Sequence, residues 1–289
     1  MFKNVKIGTK ITAILLFVVL VSVIALSFIT YNLNRDSIEK LNFEKLMSYT
    51  SQKAGKIDEI FNGIYNKAEH IKSLLLVQSS IRQYQQEDST LNGDSLKSMI
   101  TLQLEAELRP FVEKYPIEAV LLAKMDGEIL FSSNSSIEKL AMGDNLGNYD
   151  EEFFKSSKKV GTFSQPLTSG DKKIVLYGVP IIDDYNTTAG LLILVKNMAP
   201  IIDIVQSSPL DFNTDESILT VQKGNEAIFI SPLKQVSDSL APLSVKLEDK
   251  ASVGVQKAAL GDSGYAKDID YTGDKVLSAW TNIPSTNWG

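Results

Sequence analysis

The sequence predicts an α+β protein: one N-terminal membrane-spanning helix, a long helical stalk, and two successive modules each built on an antiparallel sheet. Three observations carry that prediction. Nineteen residues from Ile11 to Ile29 run without a charge. A polar helical pattern of three- and four-residue apolar steps follows. Strand-turn-strand signatures then occur twice, 98 residues apart.

Fourteen of the nineteen residues from Ile11 to Ile29 are Ile, Leu, Val or Phe. At 1.5 Å per residue the run spans about 28 Å, close to the roughly 30 Å hydrocarbon core of a bilayer. Lys3, Lys6 and Lys10 precede it, and no acid occurs before Asp36. The positive-inside rule therefore predicts residues 1–10 in the cytoplasm, a membrane helix over 11–31, and residues 32–289 outside the inner membrane. A cleaved signal peptide is the rival reading, since Ala25 and Ser27 resemble a cleavage site. Its apolar region would exceed the usual length of roughly 7–15 residues, which favours an anchor.

Beyond the membrane, Ile38, Leu41, Tyr49, Ile57, Ile60, Ile64, Ala68, Ile71 and Leu75 recur at helical spacing, predicting a stalk helix over 32–85. One apolar stripe can serve both the chain's own core and a second copy, so a homodimer is expected. A polar stretch from Gln83 to Asp94 predicts a loop, and residues 95–115 a second helix. Ile117 to Ala123 and Glu128 to Ser133 flank Met125-Asp126-Gly127, the pattern of a hairpin. Lys173 to Pro180 and Gly190 to Val195 flank a second turn at Asp183 to Asn186.

The segment Ala119 to Phe131 matches Ser217 to Phe229 in apolar positions, turn and Glu/Phe pair. More loosely, Gly161 corresponds to Gly264, Lys173 to Lys275 and Pro180 to Pro284. A tandem repeat is predicted, with modules over 86–206 and 207–289 and a boundary near the polar stretch Gln206 to Asn213.

The same residues exclude several chemistries. Outside the first 31 residues the net charge is −9, which opposes nucleic-acid binding. There is no cysteine, hence no disulfide, thiolate metal site or cysteine nucleophile. The single histidine, His70, has no second histidine to share a metal with and no kinase phosphoacceptor context, so it reads as a surface or helix-packing residue. Gly261-Asp-Ser-Gly264 is too short for a phosphate loop. No catalytic residue, metal or cofactor is expected, and a membrane-anchored hydrolase lacks its nucleophile and base.

Several ordered motifs resemble the double Cache family of bacterial transmembrane receptors. The opening Phe2-Lys-Asn-Val-Lys-Ile-Gly-Thr-Lys10 is similar to the cytoplasmic start of chemoreceptors and sensor kinases. Phe153-Phe154-Lys155 through Val160-Gly161, Val179-Pro180-Ile181 and Gly190-Leu-Leu follow the family order in the first module. In the second, Glu216-Ser-Ile-Leu, Ile230-Ser-Pro-Leu233, Gly261-x-x-Gly264, Asp270-Tyr-x-Gly273, Val276-Leu277 and Trp288-Gly289 do the same. The resemblance implies two PAS-like modules, membrane-distal and membrane-proximal. It also implies a small-molecule ligand in the distal one and a signal passed to cytoplasmic partners through an output domain absent from these residues. A methyl-accepting chemotaxis transducer or a sensor histidine kinase is the expected output, with a nucleotide or diguanylate cyclase, or a binding module without signalling, as alternatives.

Amino-acid-binding members carry an Arg-x-Trp-Tyr motif where this chain has Asn148-Tyr-Asp-Glu-Glu-Phe-Phe154. Amino-acid specificity is therefore not carried over. Candidate ligand contacts are Tyr149, Phe153, Phe154, Tyr177, Asp183 and Asp184, for which packing and turn formation are the competing roles. The acids Asp150 to Glu152 are expected to bias the pocket toward neutral or cationic ligands. The natural chain is expected to continue past Gly289, with about five apolar residues closing the second sheet and then a second membrane helix of about 20 residues.

Overall fold

The computed structural model describes residues 7–86, 93–182, 187–207, 215–234 and 243–289. Helix α1, Ile7–Lys72, runs 66 residues without interruption and joins the apolar segment to the stalk. Its first part is long and apolar enough to cross a membrane, with mean hydropathy 2.7. Side chains there are exposed from Ile11 through Tyr31 wherever described, whereas Ile57, Phe61, Ile64, Ala68 and Ile71 are buried. The helix thus changes solvent along its length, from all-round apolar to a single buried stripe.

The predicted stalk helix over 32–85 is two helices. α1 ends at Lys72, and α2, Leu75–Gln86, starts after a turn in which the Ser73 hydroxyl donates to the His70 carbonyl at 2.7 Å. No glycine or proline marks this break. It lets Val77, Ile81 and Tyr84 turn onto the same core as Ile71. Helix α3, Gly93–Lys114, packs against α2, and the Tyr84 hydroxyl lies 2.7 Å from the Thr101 hydroxyl.

The first module is a six-stranded antiparallel sheet. Its strands are β1 (Ala119–Ala123), β2 (Ile129–Ser132), β3 (Thr162–Phe163), β4 (Leu167–Ser169), β5 (Lys172–Ile182) and β6 (Thr188–Asn197). They pair in the order β2-β1-β6-β5-β3, with β4 also on β5. The β1–β2 hairpin forms, its turn using Gly127 at φ 100°, where a side chain would be strained, and β5 pairs antiparallel with β6, the predicted turn between them at 183–186 lying outside the described residues.

One face of the sheet (Val120, Leu122, Val175, Tyr177, Val179, Leu192, Leu194) packs on α1, α2 and α3. The other (Leu121, Ile129, Ile174, Leu176, Leu191, Ile193, Val195) is covered by the segment holding α4, Leu146–Tyr149, and α5, Glu151–Ser157. Burial on both faces explains why these strands read as unbroken apolar runs rather than as alternation.

Helix α6, Ala199–Gln206, leads out of the first module. The second module holds β7 (Thr220–Lys223), β8 (Glu226–Phe229) and β9 (Ser244–Lys246) in one sheet. Helix α7 (Val253–Ala259) then precedes a separate hairpin of β10 (Gly264–Ile269) and β11 (Lys275–Trp280). Hairpin, helix and hairpin thus recur in the same order in both modules. Helix α7 contacts β7 and β8 of one sheet and β10 and β11 of the other, so it bridges the two. Thr220 and Gly289 exchange both backbone hydrogen bonds, at 2.7 and 3.0 Å. This pairing places Gly289 beside β7 as Leu192 of β6 lies beside β1, where Leu122 is its partner.

The modules share one core through α1. Phe61, fully buried, meets Phe163 of the first module at 4.9 Å and Trp288 of the second at 5.1 Å, both edge-on. Polar ties reinforce the joint. The Lys53 ammonium donates to the Val205 carbonyl and the Ser217 hydroxyl, both at 2.7 Å, and Lys173 donates to the Ile230 carbonyl at 2.9 Å. The Ser285 amide donates to the Asp58 carboxylate at 2.9 Å.

Candidate functional site

The layer formed by α4 and α5 over the first sheet is the candidate site. Two side chains set its backbone. The Asn145 carboxamide accepts from the Gly147 amide at 2.9 Å and caps α4, and the Asp150 carboxylate accepts from the Phe153 amide at 3.0 Å and caps α5. These caps turn Phe153 and Phe154 inward, where both are buried against the sheet. Gly178 makes room for them: a Cβ there would lie 2.8 Å from the Phe153 ring and 2.7 Å from the Ser157 Cβ. Gly127 likewise admits Phe154, whose outer face carries the Lys158 ammonium 3.9 Å from the ring centroid.

Tyr149 packs at the edge of the same layer. Its hydroxyl is buried and has no hydrogen-bond partner. Burial, reinforced by the negative charges of Glu138 and Asp150, raises its pKa above the ordinary value. An unpaired buried hydroxyl costs about 1–3 kcal/mol, which sets this oxygen apart from the Ser157 hydroxyl of the same layer, buried but bonded to the Phe154 carbonyl.

Of the six candidate contacts, the structure brings Tyr149, Phe153 and Phe154 together. Tyr177 lies on the opposite face of the sheet. Its ring sits 4.5 Å from Phe163 and 6.2 Å from Tyr65, within the core shared with α1. The reason is register: Tyr177 shares its face with Val175 and Val179, and the intervening Gly178 is the residue that looks toward Phe153. The Tyr177 hydroxyl is also buried without a partner, and burial, with Glu69 and Tyr65, pushes its pKa far up. Asp183 and Asp184 lie outside the described residues.

The expected acidic lining does not form from Asp150 to Glu152. Asp150 is consumed as a helix cap, Glu151 pairs with Lys155 at 2.6 Å in solvent, and Glu152 is exposed. Sequence reading missed Gly178, Asn145 and Ser157; only the two glycine and cap positions carried a local signal. His70 is exposed, with its ring 5.5 Å from Phe111. A separate cleft of about 360 Å³ opens where α2 and α3 meet the β1–β2 hairpin, lined by Tyr84, Lys97, Met142 and the Lys124–Glu128 ion pair at 2.7 Å. Among the described residues no cluster of His, Asp or Glu is arranged to hold a metal.

An antiparallel sheet between a long helix and a short-helix layer, followed by a smaller second module, is the fold that this chain shares with several solved extracellular sensor and ligand-binding domains. The extracellular domain of a protein assigned as the histidine kinase mmHK1S-Z2 matches with TM-score 0.55 at 15% identity, over 85% of this chain and 94% of its own. That of mmHK1S-Z3 matches with TM-score 0.53 at 13% identity, over 86% and 91%. The ligand-binding domain of the Pseudomonas aeruginosa amino acid chemoreceptor PctB, in complex with L-Gln, matches with TM-score 0.53 at 13% identity, over 85% and 87%. No protein-family model and no curated protein matches the chain.

Proposed function

We propose that this chain is the membrane-anchored sensory region of a signal-transduction receptor. In this reading, residues after α1's apolar segment lie outside the membrane, and a small ligand binds in the first module between the sheet and the α4–α5 layer. The observation that carries it is the orphaned Tyr149 hydroxyl, buried beside Phe153 and Phe154 in the layer that covers one sheet face. A ligand acceptor or donor there would recover the cost of the unpaired group. Output through a chemotaxis transducer or histidine kinase accords with the fold, with a cyclase as the next choice. A thermal-shift screen of the full chain in detergent tests it. The expected result is at least one small neutral or zwitterionic compound that stabilises the protein, with affinity reduced about tenfold by Tyr149→Phe, the loss of one hydrogen bond of about 1.4 kcal/mol. Ligand binding untouched by Tyr149→Phe and by Phe153→Ala would move the site elsewhere.

Dimerisation through the stalk is the second part of the reading. Ile38 and Leu41 are exposed at 58% and 49% just beyond the apolar segment, while Ile57 is 2% exposed in the chain's own core. Membrane crosslinking of single cysteines should therefore give dimers at Leu41→Cys and none at Ile57→Cys. Crosslinks at Ile57 alone would reverse the assignment of faces.

A further inference from the structure

The stalk-side core ends at a turn where three lysines converge. Lys67 of α1 places its ammonium 4.2 Å from the Tyr115 ring centroid, and Lys114, in the last turn of α3, lies 5.7 Å from the same ring. Lys196 of β6 is 4% exposed and donates to the Pro116 carbonyl at 2.6 Å. An ammonium carries three donors, so that bond leaves two of them. Glu118, whose charge acts on Lys196, has its carboxylate oxygens engaged by Lys172 and Asn197, each at 3.1 Å.

Among the described residues no carboxylate forms an ion pair with Lys67, Lys114 or Lys196. Burial lowers the pKa of both Lys67 and Lys196, the Lys67 charge depresses Lys196 further, and the Glu118 charge opposes part of that fall. The two ammonium groups therefore feel one another across the turn. Lys196 alone of the three is buried, at a desolvation cost that the charge of Glu118 offsets only in part, while Lys67 is half-buried and Lys114 exposed. The α3 C-terminus attracts cations, but its partial charge of about −0.5 offsets only part of three positive ones.

We propose that the Tyr115–Pro116 turn is an oxyanion site, in which Lys67, Lys114 and Lys196 bind a small carboxylate or phosphate. The site lies on the opposite side of the first sheet from the α4–α5 layer and does not depend on a ligand there. Lys67 stands about 36 residues beyond Tyr31, about 54 Å along α1. That distance takes it out of reach of lipid headgroups and assigns the site to a soluble anion.

The test is thermal melting of the full chain in detergent with inorganic phosphate and with acetate, each matched against sodium chloride at equal ionic strength. A saturable rise in Tm with one or both oxyanions, absent with chloride, is expected; the more effective salt tells phosphate from carboxylate chemistry. Lys67→Gln and Lys114→Gln should each raise the half-saturating concentration at least tenfold, while Lys67→Arg retains binding. The exposed Lys114 variant keeps the test open should Lys67→Gln fail to fold. Equal stabilisation by chloride, or half-saturation unchanged in both glutamine variants, would overturn the proposal. So would loss of the oxyanion effect in Tyr149→Phe, which would place the anion in the α4–α5 layer.

Discussion

Replacing Phe61 with alanine is expected to destabilise both modules together, by about 3–5 kcal/mol. The ring is fully buried and contacts Phe163 and Trp288 edge-on, so its loss removes contacts in both modules and opens a cavity that neither can fill alone. A chain of this size shifts by roughly 2–4 °C per kcal/mol, predicting a fall in Tm of about 6–20 °C. Melting followed by far-UV circular dichroism and by tryptophan fluorescence should show one transition moving as a unit, because Trp280 and Trp288 both report on the second module. Two transitions, only one of them shifted, would show that the modules do not share a core. Phe61→Leu, which keeps most of the volume, should lose far less.

Adding a strand of about five β-branched residues directly after Gly289 is expected to stabilise the second module by a few kcal/mol. In the first module β6 lies between β1 and β5 and joins the sheet. In the second, the β9-β8-β7 sheet and the β10-β11 hairpin both contact α7, and Gly289 is already hydrogen-bonded to Thr220 of β7. A strand continuing from that residue would pair with β7 on one side and β11 on the other, at the 4.7–4.9 Å spacing of neighbouring strands. Burial of about 1.5–3 kcal/mol per apolar side chain and new ladder hydrogen bonds outweigh a backbone ordering cost of about 1–2 kcal/mol per residue. Comparing the Tm of this extended chain with one carrying five Gly/Ser residues checks it. Equal stability of the two would mean that the space between β7 and β11 does not accept a strand.

The positions of α1, α3, both hairpins of the first module and the hairpin repeat were legible because each rests on local periodicity and turn chemistry. An uncharged run of nineteen residues, apolar steps of three and four, and Gly127 or Gly224 between two apolar runs mean the same thing wherever they occur. The break at Ser73 was not legible. Helical propensity there is ordinary, and the turn exists because α2 must redirect Val77 and Ile81 onto the core.

The candidate site divides the same way. The sequence by itself determined that Phe153 and Phe154 compete between packing and ligand contact, that the chain has no cysteine or second histidine, and that one helix is long and apolar enough to cross a membrane, whereas the role of Asp150 as a helix cap came from the structure. Tertiary structure alone decided the face of Tyr177. From Ile174 to Ile181 every residue of β5 is buried, so no polar alternation records which side chains point to α1 and which to α5. It also decided that Ile57 belongs to the core and Leu41 to the surface, since both fit one helical stripe. Lys67, Lys114 and Lys196 stand 47 and 82 residues apart along the chain, and each is an ordinary surface lysine by local pattern. Only the closing of β6 beside β1, under the end of α3, carries their charges to one turn, because electrostatic coupling depends on distance in space and leaves no period in the sequence.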